Sequence, residues 1–114
     1  MVLSVPWTKD PVRPSDRAEV FERDGQCIAP LIDPNAGPCQ NRWGRTCNAN
    51  DRRAFTLDHV PPAPGSTRVS RPRWMVTLCW GHGVITHWET AHRQDERDYL
   101  RRIYEEEVHA GDPA

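Results

Sequence analysis

The chain has 114 residues, of which 37% are apolar and 11 are proline, so burial alone would leave a thin core and an additional staple is expected. A formal charge of −1 excludes a uniformly basic nucleic-acid coat, and no stretch approaches the roughly 20 apolar residues of a membrane helix. The first residues lack the basic start and apolar run of a secretory signal, so a cytoplasmic location with reduced cysteines is expected.

Taken in chain order, residues 1–14 contain Pro6, Pro11 and Pro14 with no apolar period and read as an extended arm. Ser15 is placed to cap a short helix over residues 16–23, with Val20 and Phe21 as its apolar stripe and Asp24-Gly25 as its stop. Residues 27–50 are rich in Pro, Gly, Asn and Asp and read as loop. A β-prone run over residues 54–60, closed by Pro61-Pro62, predicts a strand. The proline-containing stretch 61–72 is irregular, and a second strand is expected over residues 74–78. Residues 88–108 read as one long amphipathic helix, with Tyr99, Leu100, Ile103, Tyr104 and Val108 on its apolar face. Residues 111–114 form a tail, so the folded domain is expected over 15–110.

The near-neutral total hides an uneven distribution. Residues 39–79 carry seven arginines, Arg42, Arg45, Arg52, Arg53, Arg68, Arg71 and Arg73, against two aspartates, whereas the segments on either side are acidic. A guanidinium fork suits bidentate contact with phosphate, and Arg68, Arg71 and Arg73 are the candidate nucleic-acid contacts.

Four cysteines occur, at 27, 39, 47 and 79. Cys79-Trp80-Gly81-His82 has the C-x-x-H form, in which a tight turn lets a thiolate and an imidazole converge on one ion. Tetrahedral zinc needs two further ligands. Cys27 and Cys39 are the expected pair, with Cys47 as the substitute for either. Four protein ligands make a closed, structural site.

Asp58-His59 ends the first strand. A carboxylate can hold a hard divalent cation and the adjacent imidazole can take a proton from water near neutral pH. Three segments carry a resemblance: Val20-Phe21-Glu22-Arg23-Asp24-Gly25-Gln26-Cys27, Leu57-Asp58-His59-Val60-Pro61-Pro62 and Val76-Thr77-Leu78-Cys79-Trp80-Gly81-His82. Their order and spacing resemble the His-Asn-His (HNH) endonucleases, in particular small phage-encoded members from actinobacterial viruses. Trp88-Glu89-Thr90-Ala91-His92-Arg93 adds to the likeness, which spans about residues 15–105.

The resemblance implies an α+β fold of the ββα-metal (His-Me finger) kind, with a short N-terminal helix, a zinc knuckle and a long C-terminal helix. It implies a metal-dependent endonuclease acting on double-stranded DNA in phage DNA processing or packaging, with the phage terminase as a candidate partner. His59 would be general base, and Asp58 would hold Mg²⁺ or another divalent ion such as Mn²⁺. Two positions depart from the family pattern. Trp74 stands where the central asparagine is expected, and Gly83 where the final histidine is expected, leaving His87, or else His92, as the imidazole that could complete the site. His109 carries no role. These departures favour an alternative, a catalytically weak or silent zinc module that binds DNA or a phage partner. A secreted protein with two disulfides is a third reading.

Overall fold

The computed structural model describes residues 12–106. The expected arm lies outside the described residues up to position 11, as do the tail and His109. Helix α1 spans Pro14–Asp24 and starts earlier than expected: Arg13 is the N-cap, without a side-chain cap bond, and Pro14 occupies the first turn in place of the Ser15 cap. Proline's fixed φ and missing N–H suit that position. Gly25 closes α1 in the left-handed region (φ 70°), its N–H donating to the Phe21 carbonyl.

The stretch read as loop contains three short elements, a helical turn α2 (Ala29–Ile32) and strands β1 (Cys39–Gln40) and β2 (Thr46–Cys47). The two strands pair antiparallel with Cys39 opposite Cys47. The expected strands occur as β3 (Phe55–His59) and β4 (Met75–Cys79), also antiparallel, with Phe55 opposite Cys79 and His59 opposite Met75. Beyond β4 come a π-type turn over Gly81–Ile85, a 3-10 turn over Trp88–Ala91, helix α3 (Arg93–Arg101) and a second π-type turn over Arg102–Glu106.

The single long helix expected from residue 88 is therefore broken at His92, where the backbone leaves helical values (φ −126°, ψ 20°). The break lets Trp88 face inward, its indole N–H donating to Asp33 at 3.0 Å. Leu100 is fully buried, and Tyr99 and Tyr104 pack against the same core.

All five residues of β4 are buried, and its outer edge is also covered. Ile28 donates its N–H to the Thr77 carbonyl at 3.0 Å, and the Thr77 N–H donates to Asp24 at 2.8 Å. Covering that edge removes a surface open to further strand pairing. Asp24 also accepts from the Tyr99 hydroxyl at 2.7 Å and from Arg23 at 2.9 Å, so one carboxylate ties α1, β4 and α3 together. No helix among the described residues is long and apolar enough to cross a membrane. The result is a small α+β fold built on two strand pairs and a closing helix.

Candidate functional site

Two sites lie at opposite ends of the β3–β4 hairpin. At the Cys79 end, the thiols of Cys27, Cys39 and Cys79 and the ring of His82 converge, with all four ligand atoms within 4.8 Å of one another and all four residues buried. His82 Nδ1 lies 3.1 Å from Cys79 Sγ, 3.5 Å from Cys27 Sγ and 3.9 Å from Cys39 Sγ. Bonds of about 2.0–2.3 Å in a tetrahedron set ligand atoms roughly 3.5–3.8 Å apart, so the quartet has the dimensions of a site for a metal ion such as zinc.

Local structure explains the convergence. The π-type turn, closed by Thr86 N–H to the Gly81 carbonyl at 2.8 Å, folds His82 back over Cys79. Gly81 is required there, because a Cβ would lie 2.7 Å from Gln40 Cβ. His82 Nε2–H donates to the Ala36 carbonyl at 2.8 Å, which leaves Nδ1 with its lone pair facing the thiols, the orientation a metal ligand needs. Hydrogen bonds from Cys27 and Cys39 push the Cys79 thiol well below its usual range, whereas hydrogen bonding within the cluster and burial push Cys27 and Cys39 up. Cys47 is half-buried, forms no disulfide and stands outside the quartet, so the choice between Cys39 and Cys47 falls to Cys39.

At the other end, β3 delivers Asp58 and His59. Asp58 Oδ2 accepts from Arg93 Nη1 at 2.6 Å, and the same nitrogen donates to the His59 carbonyl at 2.8 Å and to Glu96 Oε1 at 3.0 Å. Glu96 is fully buried in α3, with its carboxyl against that of Asp58. Burial first, then the neighbouring Asp58 carboxylate, push its carboxyl up to about 10 despite Arg93. His59 Nε2 meets the hydroxyl of the buried Ser70 at 3.1 Å. Ser70 and Arg93 therefore hold the imidazole and the carbonyl of His59, support that Trp74 cannot supply.

The remaining histidines face elsewhere. His87, in the left-handed region at φ 52°, is exposed, with Nδ1 at 3.5 Å from Glu89. His92 stacks on Trp88 at 4.4 Å and approaches Asp95 at 2.9 Å and Asp33 at 3.5 Å. Among the described residues, the three cysteines and His82 form the one group of three or more such ligands that converges. Gly83 is closed to any side chain: a Cβ would lie 2.9 Å from Thr56 Oγ1 and 3.4 Å from Leu78 Cβ.

Arg68 and Arg71 are exposed in the β3–β4 loop. Arg73 is engaged in packing, its guanidinium 4.2 Å from the Trp74 ring centroid and 5.3 Å from that of Tyr104, with Glu105 at 3.8 Å. Sequence reasoning passed over Glu96 and Ser70 altogether and used Arg93 only as part of a motif. An acidic residue in a charged helix reads as a solvated face, and only the packing of α3 on β3 brings Glu96 inside.

Compared with known proteins, the chain matches no family model, no curated protein and no solved structure at a significant level.

Proposed function

We propose that this chain is a metal-dependent DNA endonuclease of the HNH kind, built on a zinc-stapled ββα scaffold. The observation that carries the reading is the strand-terminal trio: Asp58 beside the buried Glu96, with His59 oriented by Ser70. Zinc is the ion best suited to three cysteines and one histidine in a closed site, and its role is structural.

The second pair of donors is chemically different. Asp58 and Glu96 offer hard oxygen donors, the donor chemistry that Mg²⁺ or Mn²⁺ prefers, and Glu96, whose carboxyl is raised to about 10, would release its proton on holding the ion. Glu96, rather than His87 or His92, stands next to Asp58. A divalent ion held there supplies Lewis-acid stabilisation of charge on a phosphodiester.

The chain's own residues do the rest. His59, held by Ser70, accepts a proton from the attacking water. Arg93 fixes the His59 main chain and pairs with Asp58; it lies close enough to the carboxylates to share in neutralising a phosphate. Arg68 and Arg71 line the exposed loop that follows β3 and serve as backbone contacts for the duplex.

The 2.6 Å bond from Arg93 to Asp58 favours a second reading, in which that carboxylate is permanently neutralised and the domain binds DNA or a phage partner such as the terminase without cutting. Supercoiled plasmid incubated with the zinc-loaded protein and Mg²⁺ or Mn²⁺ separates the two. Nicked or linear DNA is the expected product. Intact DNA with every divalent ion, alongside retained binding, supports the silent module.

A further inference from the structure

Trp43 is 74% exposed, whereas Trp74 and Trp80 are half-buried and Trp88 is buried. Trp43 sits at the tip of the β1–β2 hairpin, and the tip is firmly built. Asn41 Oδ1 accepts the N–H of Trp43 at 3.0 Å and that of Arg45 at 3.1 Å. Gln40 Nε2 donates to the Gly44 carbonyl at 3.1 Å, and Gly44 supplies the left-handed residue (φ 77°) that closes the turn. The base of the hairpin is tied to the metal quartet through Cys39. A large aromatic surface is thus held in solvent on a fixed support, although the chain has few apolar residues to spare for its core.

The surroundings are cationic. The Arg42 guanidinium lies 5.5 Å from the Trp43 ring centroid and 5.9 Å from that of Trp80. Arg45 and Arg53 are exposed nearby, and a cleft of about 340 Å³ opens between Asn41, Arg42, Trp43, Asp51 and Arg53. Between residues 39 and 53 the only acidic side chain is Asp51, which pairs with Arg53 at 3.2 Å. Arg42 remains as a cation against the indole, and Arg45 as an exposed cation two residues further along the tip.

A flat aromatic face with one guanidinium against it and a second exposed cation on the same tip matches a ligand that is itself flat and anionic in alternation. An acidic peptide would use the arginines and leave the indole without a matching surface. A nucleic-acid strand uses both, with bases stacking on the ring and phosphates meeting the arginines. We infer that the Arg42, Trp43 and Arg45 tip is a nucleic-acid contact in which Trp43 stacks on an unpaired base and the two arginines hold the flanking phosphates. This contact is separate from Arg68 and Arg71 and does not depend on whether Asp58 and His59 cut.

The test uses the full zinc-loaded chain without added Mg²⁺. Fluorescence anisotropy follows binding of a labelled oligothymidylate, with a glutamate-rich peptide as competitor. Trp43→Ala weakens strand binding by roughly tenfold while zinc content and circular dichroism stay unchanged; Trp43→Phe recovers part of the loss. Arg42→Gln with Arg45→Gln lowers the salt slope by about 1.4, two phosphates at roughly 0.7 each for a single strand. The inference is overturned if Trp43→Ala binds the strand like wild type, if wild type binds no strand, or if the peptide displaces the strand through Trp43. Plasmid nicking with Mg²⁺ is read separately. Nicking with Trp43-independent strand binding overturns this contact and leaves the cleavage reading standing; Trp43-dependent binding without nicking does the reverse.

Discussion

Glu96 is buried with one oxygen on Arg93 and the other beside Asp58. Its carboxyl is raised to about 10 from about 4.3 in an unfolded chain, so at neutral pH the folded state holds a proton that the unfolded state has already released. The stability tied to that proton is full below about pH 4 and falls as pH rises toward 10. Urea unfolding without added divalent ions should therefore show wild-type stability declining between about pH 6 and pH 9, with a shallower decline in Glu96→Gln. Equal slopes would mean that Glu96 ionises freely inside the fold. Residue by residue, the sequence pointed to Asp58 and His59 because an acid and an imidazole at a strand end are conspicuous. It was silent on Ser70 and Glu96, whose roles arise from contacts 11 residues away for His59 and Ser70 and across two elements for Glu96 and Asp58.

The turn after β4 is governed by close packing. Gly83 occupies the place where a histidine was expected, and the space is closed by Thr56 and Leu78. Gly83→His should therefore fail to restore a metal ligand and should destabilise the fold by about 1–3 kcal/mol, as overpacking does, read as a lowered urea midpoint. The quartet gives a companion prediction. Native mass spectrometry should find one zinc per chain in wild type and in Cys47→Ser, and none in Cys79→Ser; loss of the metal from Cys47→Ser would mean that Cys47 is a ligand. The strands β3 and β4 were legible because β-prone runs bounded by prolines leave few alternatives. The short pair β1–β2 was not, since two-residue strands have no periodicity and depend on the cysteines at their ends. The break at His92 was equally hidden: apolar spacing continues through it, and the contact of the Trp88 N–H with Asp33 that accompanies it joins residues far apart in sequence.

At the scale of the molecule, three features divide the labour. A buried Cys3His group fixes one end of the β3–β4 hairpin, a carboxylate and imidazole group occupies the other, and arginines are displayed on the β1–β2 tip and the β3–β4 loop. This separation explains how a chain with a formal charge of −1 can present cationic surface locally, with the acidic residues concentrated in α1 and in α3 and the turn beyond it. His59 lies outside the Cys3His quartet, so it can be replaced without touching those four residues. Single-turnover cleavage of a labelled DNA duplex with Mg²⁺, comparing wild type with His59→Ala at matched zinc content, tests the account most directly. It predicts cleavage by wild type and a loss of at least about a hundredfold in His59→Ala, the usual contribution of a general base, with zinc retained in both. Equal cleavage by the two proteins, or none by wild type, would contradict it.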